Sequence, residues 1–356
     1  MKAMVLAAGS ATGLYPLTYT LPVALVPILN RPAIEQQLDW LSHAGVDEVV
    51  VNLHYLHRAV SGALSERLKG EFPKLHLTVE AELSGTAGGV ALAQDHFPET
   101  FCVVGVDCVT NLDLRPALEF HRSRRALCTI VAVPSPGAGA RFGHMELGEG
   151  DRVLDFVEKP ASQGDKQEDW ISTGIYLLEP EIFDHIPDVR PFDFGQHLFP
   201  ELVGPRGGVF AYRAEGTYWQ DFADPLAYRQ VHRDLLNGVC HLTNETPLGD
   251  TGVLQGEGCL IGPGAEILPP VVLGRNVVVR SGARIEGPTV LGDDVVVGEN
   301  ATVSDSVLWA RTVVEPGAVV RSSLVGSSCH LHADRVYDGV LLASGARFEK
   351  KSISSD

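Results

Sequence analysis

Positive charge is scarce in this chain: 28 lysines and arginines face 45 aspartates and glutamates, a formal net charge of −17. Nucleic-acid binders carry basic patches, and none is visible along the sequence, so a phosphate backbone is not the expected partner. A small anionic ligand remains open, because it needs only local positive potential. Long apolar runs are also missing. No stretch approaches the roughly 18 residues that span a bilayer, and the first residues lack the basic region and apolar core of a secretory signal. A membrane partner is therefore not expected, and the reading is a cytoplasmic protein. The six cysteines (Cys102, Cys108, Cys128, Cys240, Cys259, Cys329) show no C-x-x-C spacing. That spacing suggests neither a zinc site nor a disulfide framework, and leaves small reduced core residues.

What is present is an ordinary amount of core. With 356 residues, 45% of them apolar and 21% charged, the chain predicts a folded protein of two domains. Up to about residue 235, apolar strand-like runs alternate with helical patterns, the signature of a doubly wound α/β domain with a mostly parallel sheet. Met4 to Ala8, Val49 to Leu53, Phe101 to Val106 and Cys128 to Val133 read as strands. Ala33 to His43 reads as a helix stopped by Gly45.

From about residue 255 a six-residue period takes over. One apolar column runs Ile261, Ile267, Leu273, Val279, Ile285, Leu291, Val297, Val303, and a second runs from Ala265 through Val271, Val277, Ala283, Thr289, Val295 and Ala301 to Val325. Gly262, Gly274, Gly292 and Gly298 follow members of the first column. This spacing resembles the hexapeptide left-handed parallel β-helix, whose coils stack one apolar side chain on the next. The first column fails at Trp309, Glu315 and Arg321 while the second persists, which predicts irregular last coils or an oligomer contact. The expected organisation is an α/β domain over 1–237, a linker over 238–257, a β-helix over 258–345 and a polar tail over 346–356.

The N-terminal segment carries chemistry. Gly9-Ser10-Ala11-Thr12-Gly13 follows the first strand as a flexible turn whose backbone N–H groups can approach a phosphate. The longer frame, Leu6-Ala7-Ala8-Gly9, Thr12, Leu14, Pro16-Leu17-Thr18, Pro22, Leu25-Val26-Pro27 and Asn30-Arg31-Pro32, resembles the start of the sugar-1-phosphate nucleotidyltransferases, the nucleotide-sugar pyrophosphorylases. Three mismatches fall on the chemistry: Gly13 stands at the family's arginine, Val23 at its lysine and Ala11 at its second glycine. In the family reaction a sugar phosphate attacks the α-phosphate of a nucleoside triphosphate, pyrophosphate leaves, and those two cations neutralise developing charge. Neither Gly nor Val does that.

Other family marks are kept. Gly85-Thr86-Ala87-Gly88 matches a G-T-A-G loop that contacts the base, with Glu80 or Glu82 before it. Asp107 follows an apolar strand, at the carboxyl end where open α/β sheets bind ligands. Asp221, in Tyr218-Trp219-Gln220-Asp221, matches the second carboxylate. Phe156-Val157-Glu158-Lys159-Pro160 matches F-x-E-K-P, and Thr173-Gly174-Ile175-Tyr176 the second half of N-A-G-I-Y, with Ser172 replacing the sugar-binding Asn. The resemblance, closest in look to the mannose-1-phosphate guanylyltransferase branch through Phe192-Asp193-Phe194-Gly195 and Leu198-Phe199-Pro200, implies three sets. Leu6, Ala8, Gly9, Ser10, Gly85, Thr86, Ala87 and Gly88 would bind a nucleotide; Glu158, Lys159 and Gly174 a sugar; Asp107 and Asp221 a Mg²⁺ ion.

The leading expectation is a family member that binds a nucleotide or a GDP-mannose-like nucleotide sugar with weak or absent catalysis. Regulation, a homo-oligomer formed through the β-helix and a catalytic paralogue as partner accompany it. An active nucleotidyltransferase with substituted cations is the alternative. An acyltransferase in the β-helix is a third, but that chemistry calls for a general-base His and residues 260–325 contain none.

Overall fold

The structure, a computed structural model, describes residues 1–69, 74–135, 141–160, 170–244 and 246–347. The polar tail beyond residue 347 lies outside them. The chain clusters into two compact units: Met1–Ser10 with Pro22–Ala24 and Ile34–Asp221, and Ala11–Leu21 with Leu25–Ala33 and everything from Phe222 on. No described helix is long and apolar enough to cross a membrane.

In the first unit the apolar runs form strands because each is buried on both faces. Met4, Val5, Val50, Val51, Val103 and Val104 are fully buried, as strands covered by helices require. β1 (Lys2–Leu6) is followed in the second unit by a hairpin of β2 (Pro27–Ile28) and β3 (Arg31–Pro32). Then come β4 (Glu48–Leu53), β5 (Lys74–Val79), β6 (Phe101–Gly105), β7 (Cys108–Thr110), β8 (Cys128–Pro134), β9 (Gly143–Leu147), β10 (Val153–Glu158), β11 (Trp170–Leu178), β12 (Val209–Arg213) and β13 (Trp219–Asp221). β5, β4, β1 and β6 are parallel neighbours in that order. Beyond β6 the sheet turns mixed: β11 runs antiparallel to β6, β8 and β9. α1 (Ala33–His43) lies where the periodicity puts it, and Gly45 follows at φ +84°; α2 (His57–Ala63), α3 (Thr86–Ala91), α4 (Leu114–Arg124), α5 (Phe199–Leu202) and α6 (Pro225–Leu236) come after it. All six cysteines are free.

In the second unit, short parallel strands stack in three sheets, the arrangement of a left-handed β-helix. The inward columns are Ile261-Val279-Val297-Val314-Leu331, Ile267-Ile285-Val303-Val320-Tyr337 and Leu273-Leu291-Leu308-Val325-Leu342. They explain the failure at Trp309, Glu315 and Arg321. Coils with an 18-residue repeat give way, at Ser304–Ser306, to coils with a 17-residue repeat, as Leu273↔Leu291 and then Leu291↔Leu308 register. The first column therefore continues one residue early, through Leu308, Val314 and Val320, all 0% exposed. The second column shifts as well. Thr312 and Ala318 are buried, while Val313 and Val319 are only half-buried. The last coils are regular, with a changed period. The first strand of the stack, Val253–Gln255, falls within the segment expected as linker.

The hexad glycines answer to coil spacing. A Cβ on Gly292 would sit 2.6 Å from Ala310 N, and one on Gly298 would sit 2.5 Å from Pro316 N. Both obstacles are backbone, so Gly292→Ala is expected to cost about 1–3 kcal/mol in overpacking. Guanidinium unfolding of parent and variant measures the difference, and an unchanged midpoint would show that the coils can part.

Trp309 is only 3% exposed. Its indole N–H donates to the Tyr228 hydroxyl at 3.0 Å, and that hydroxyl donates to Pro27 O. Tyr228 belongs to α6 (Pro225–Leu236), whose N-cap Asp224 accepts from Leu226 N and Ala227 N. Arg233 of the same helix pairs with Asp305 at 2.7 Å, at the corner where the coil shortens. An intramolecular helix thus occupies the place where an oligomer contact was one of the two sequence readings. α6, inside the 1–237 segment, clusters with the β-helix unit.

His232 on α6 is 2% exposed; its Nδ1–H donates to Tyr228 O at 2.9 Å, and its Nε2 accepts from Leu29 N at 3.3 Å. Burial pushes the imidazole down to about 4. An unfolded imidazole protonates near 6.5, so as acid is added the unfolded chain takes the proton first and stability falls between those two values. From pH 7 to pH 5 the loss attributable to His232 is expected to be about 2 kcal/mol. Urea unfolding at both pH values measures it. His232→Gln should flatten that slope, and an unchanged slope would remove His232 from the account.

Candidate functional site

The site is built at the carboxyl ends of β1 and β6. Asp107 leaves β6 two residues after Gly105. β7 then pairs antiparallel with β13, setting Asp221 opposite Cys108, the residue that follows Asp107. The sequence placed these two carboxylates 114 positions apart, and the ladder joins them. Burial pushes the Asp107 carboxyl above its ordinary range, and the charge of Lys159 works against that shift. Asp221 accepts from the Arg141 guanidinium at 3.2 Å.

The glycine loop opens α3 (Thr86–Ala91) and is held shut from one side. Gly85 sits at φ +79°, and a Cβ there would come within 2.5 Å of Phe192 O. Only glycine meets both conditions. Phe192 N donates to Ser84 O and Gly88 N to Phe192 O, both at 2.9 Å. Thr86 N and Oγ1 donate to Asp193 Oδ1 at 2.9 and 3.1 Å. Glu80, 6% exposed, accepts from Asn52 Nδ2 at 2.6 Å and Ser84 N at 2.8 Å, so it braces the loop from behind. Two amides of the expected base-binding loop are thus committed to residues 192–193.

Glu158 ends β10 and Lys159 follows it. The Glu158 carboxyl is packed so closely that a Cβ on Gly143 would stand 3.0 Å from its Oε2, and one on Gly195 closer still. Burial raises its pKa, Lys159 lowers it and Asp193 raises it further. Lys159 Nζ lies 3.9 Å from Glu158 Oε1. One electrostatic chain therefore runs from the glycine loop through Asp193, Glu158 and Lys159 to Asp107. β11 carries a register shift against β8 between Ser172 and Tyr176, and Gly174 stands there at φ +75° with open space where a Cβ would be. Such bulges often re-aim groups beside active sites. The Ser172 hydroxyl, in a 7% exposed residue, reaches Gly174 N at 3.3 Å and Tyr176 OH at 3.4 Å. Its reach ends inside the bulge.

Leu6 and Ala8 lie at the end of β1, where Ala7 N donates to Asn52 Oδ1 at 2.9 Å. Gly9 borders open space: nothing lies within 4 Å of a Cβ placed on it. The two missing cations look different. A Cβ on Gly13 would lie 2.3 Å from the backbone oxygen of Ala223, and Val23 is 4% exposed. Ala11 keeps the left-handed conformation that suits the family's glycine, at φ 47°.

Sequence reasoning missed Arg141 and the bracing role of Asp193. Asp193 had a signal, its Phe192-Asp193-Phe194-Gly195 motif. Arg141, a lone cation between two apolar segments, had none. As a donor set, Asp107 in the turn before β7 and Asp221 on β13 supply hard carboxylate oxygens, the donor type a divalent metal such as Mg²⁺ takes.

Residues 2–238 match the Nucleotidyl transferase family and residues 250–353 match the GMPPB C-terminal domain. The chain is 32% identical to Mannose-1-phosphate guanylyltransferase 1 of Arabidopsis thaliana, with 96% of each covered. It is also 32% identical to the UTP--glucose-1-phosphate uridylyltransferase of Synechocystis, over 67% of this chain and 64% of that protein. Among solved structures, HddC from Yersinia pseudotuberculosis complexed with GMP-PN superposes with a TM-score of 0.55 at 21% identity, over 65% of this chain and 97% of that one, a likeness of fold. Matched by the family model over residues 2–238 and by a relative at 32% identity over 96% of its length, the chain belongs to the nucleotidyl transferase family.

Proposed function

We propose that this protein binds a nucleoside diphosphate sugar of the GDP-mannose type and transfers nucleotides weakly or not at all, serving in regulation. The observation that carries this reading is the state of the two cation positions. At Gly13 the Ala223 backbone occupies the space a side chain would enter, and at Val23 the side chain is buried. The binding features remain: the braced Gly85–Gly88 loop, the open face of Gly9, the Glu158–Lys159 pair and the two carboxylates. A guanine nucleotide is preferred because relatives covered over 96% of their length are named guanylyltransferases.

In this reading the backbone amides of Gly9 and Ser10 meet phosphate, Lys159 meets the sugar phosphate and Glu158 accepts from sugar hydroxyls. A Mg²⁺ ion held by Asp107 and Asp221 would neutralise phosphate charge when bound. Leu260 and Ile261 in the first coil are 64% and 41% exposed, and Leu268 is 38% exposed; they support a β-helix contact with a second copy or a catalytic paralogue.

One observation favours the other reading, an active enzyme with substituted cations: Arg141 already lies 3.2 Å from Asp221. The deciding experiment follows pyrophosphate release from each nucleoside triphosphate with Mg²⁺ and a panel of sugar 1-phosphates, alongside thermal shifts with the matching nucleotide sugars. Stabilisation by GDP-mannose without turnover is expected. Turnover at about 1 s⁻¹ or faster would establish the active reading instead.

A further inference from the structure

At the amino-terminal edge of the sheet, opposite the carboxyl ends that carry the candidate site, three side chains converge. Glu48 opens β4, His76 lies on β5, and His96 ends the 3-10 turn Gln94–His96 that follows α3. His76 Nε2 lies 3.5 Å and His96 Nδ1 3.7 Å from Glu48 Oε1. All three donor atoms fall within 4.8 Å of one another. The side chains are 17%, 29% and 31% exposed for Glu48, His76 and His96. His76 Nε2 is itself buried with no hydrogen-bond partner.

We propose that Glu48, His76 and His96 form a binding site for a borderline-soft divalent transition metal, with Zn²⁺ as the best match. Donors about 2.0–2.1 Å from a tetrahedral zinc stand about 3.3 Å apart, close to the two spacings to Glu48. Two imidazoles and one carboxylate select zinc or its neighbours over Mg²⁺ and Ca²⁺, which prefer an all-oxygen shell. A buried ring nitrogen without a partner is costly, and a metal bond removes that cost. The fourth position is left to water. The metal would tie the turn after α3 to the sheet edge, at the end of the strands opposite Asp107.

Two lysines compete for the same carboxylate. Lys2 Nζ donates to Glu48 Oε1 at 3.0 Å, and Lys74 also acts on Glu48 electrostatically. The metal must share the carboxylate with Lys2 or displace it, so micromolar affinity is expected rather than the tighter binding of a dedicated structural site.

The test is calorimetric titration of the full-length, tag-free, reduced protein with ZnCl₂ in excess Mg²⁺, which saturates hard oxygen sites. One equivalent of Zn²⁺ should bind. His76→Gln and His96→Gln should each weaken binding at least about tenfold, and Lys2→Gln, which removes the competing ammonium, should tighten it about threefold or more. Co²⁺ should give visible absorption bands of low coordination number, lost in His96→Gln. His96 lies on a partly exposed turn, so that variant keeps the test open if His76→Gln fails to fold. No Zn²⁺ binding in the parent, or binding unchanged in the histidine variants, overturns the assignment.

Discussion

Restoring the family's two cations by Gly13→Arg and Val23→Lys is expected to yield no enzyme, and Val23→Lys alone to cost roughly 2–5 kcal/mol of stability. Val23 is 4% exposed, so a lysine there must either bury an ammonium or push its neighbours aside. Gly13→Arg meets the Ala223 backbone before its charge can matter. Loss of a single preorganised charge-stabilising group typically costs 10²–10³ in rate, so a site that had lost charge alone should recover steeply. Guanidinium unfolding and pyrophosphate release on the same preparations separate the cases. A double variant that folds like its parent and turns over quickly would mean that the two positions had stayed receptive and that the parent had lost charge alone, and the account of them as closed by main chain and burial would fail.

Lys159→Gln is expected to weaken nucleotide-sugar binding by about 100-fold. Lys159 is the cation that acts on both Glu158 and Asp107. A charge-assisted hydrogen bond to phosphate is worth about 1.5–3 kcal/mol, and the variant would also leave two burial-raised carboxyls without their opposing charge. Calorimetric titration with GDP-mannose and Mg²⁺ gives the ratio directly. A change below about threefold would place the sugar phosphate elsewhere. Arg141→Gln provides the contrast. If Arg141 only screens Asp221, its removal should leave nucleotide-sugar affinity unchanged or higher, whereas a substituted catalytic cation would show as lost turnover.

The sequence was most legible where one constraint dominated. Val49 to Leu53 had to be a buried strand because no polar residue but Asn52 interrupts it, and Gly45 had to end α1 because the chain turns there at φ +84°. The hexad announced the β-helix for the same reason: coil stacking forces one inward side chain per face. Its change of period was misread because a one-residue shift leaves valines in both frames, at Val313 and Val314 or Val319 and Val320, and only burial tells them apart. At the site, motif positions singled out the carboxylates and the glycine loop, and the structure sets Asp221 at the end of β13 and Gly85 at φ +79°. Arg141 stayed hidden because its partner Asp221 is eighty positions away and joins it only through tertiary placement. Gly13 looked like a lost charge; its geometry adds that the space has been taken by main chain.

The shortening at Ser304–Ser306 divides the β-helix into two sections of different thread, like a screw cut with two pitches. Within either section, whole coils can be added or removed and every column stays aligned. Across the seam they cannot, because one residue too many would rotate all three faces together. Lengthening or trimming this stack, in the laboratory or over generations, is therefore free in its parts and barred at its joint, and the joint is where Asp305 holds α6.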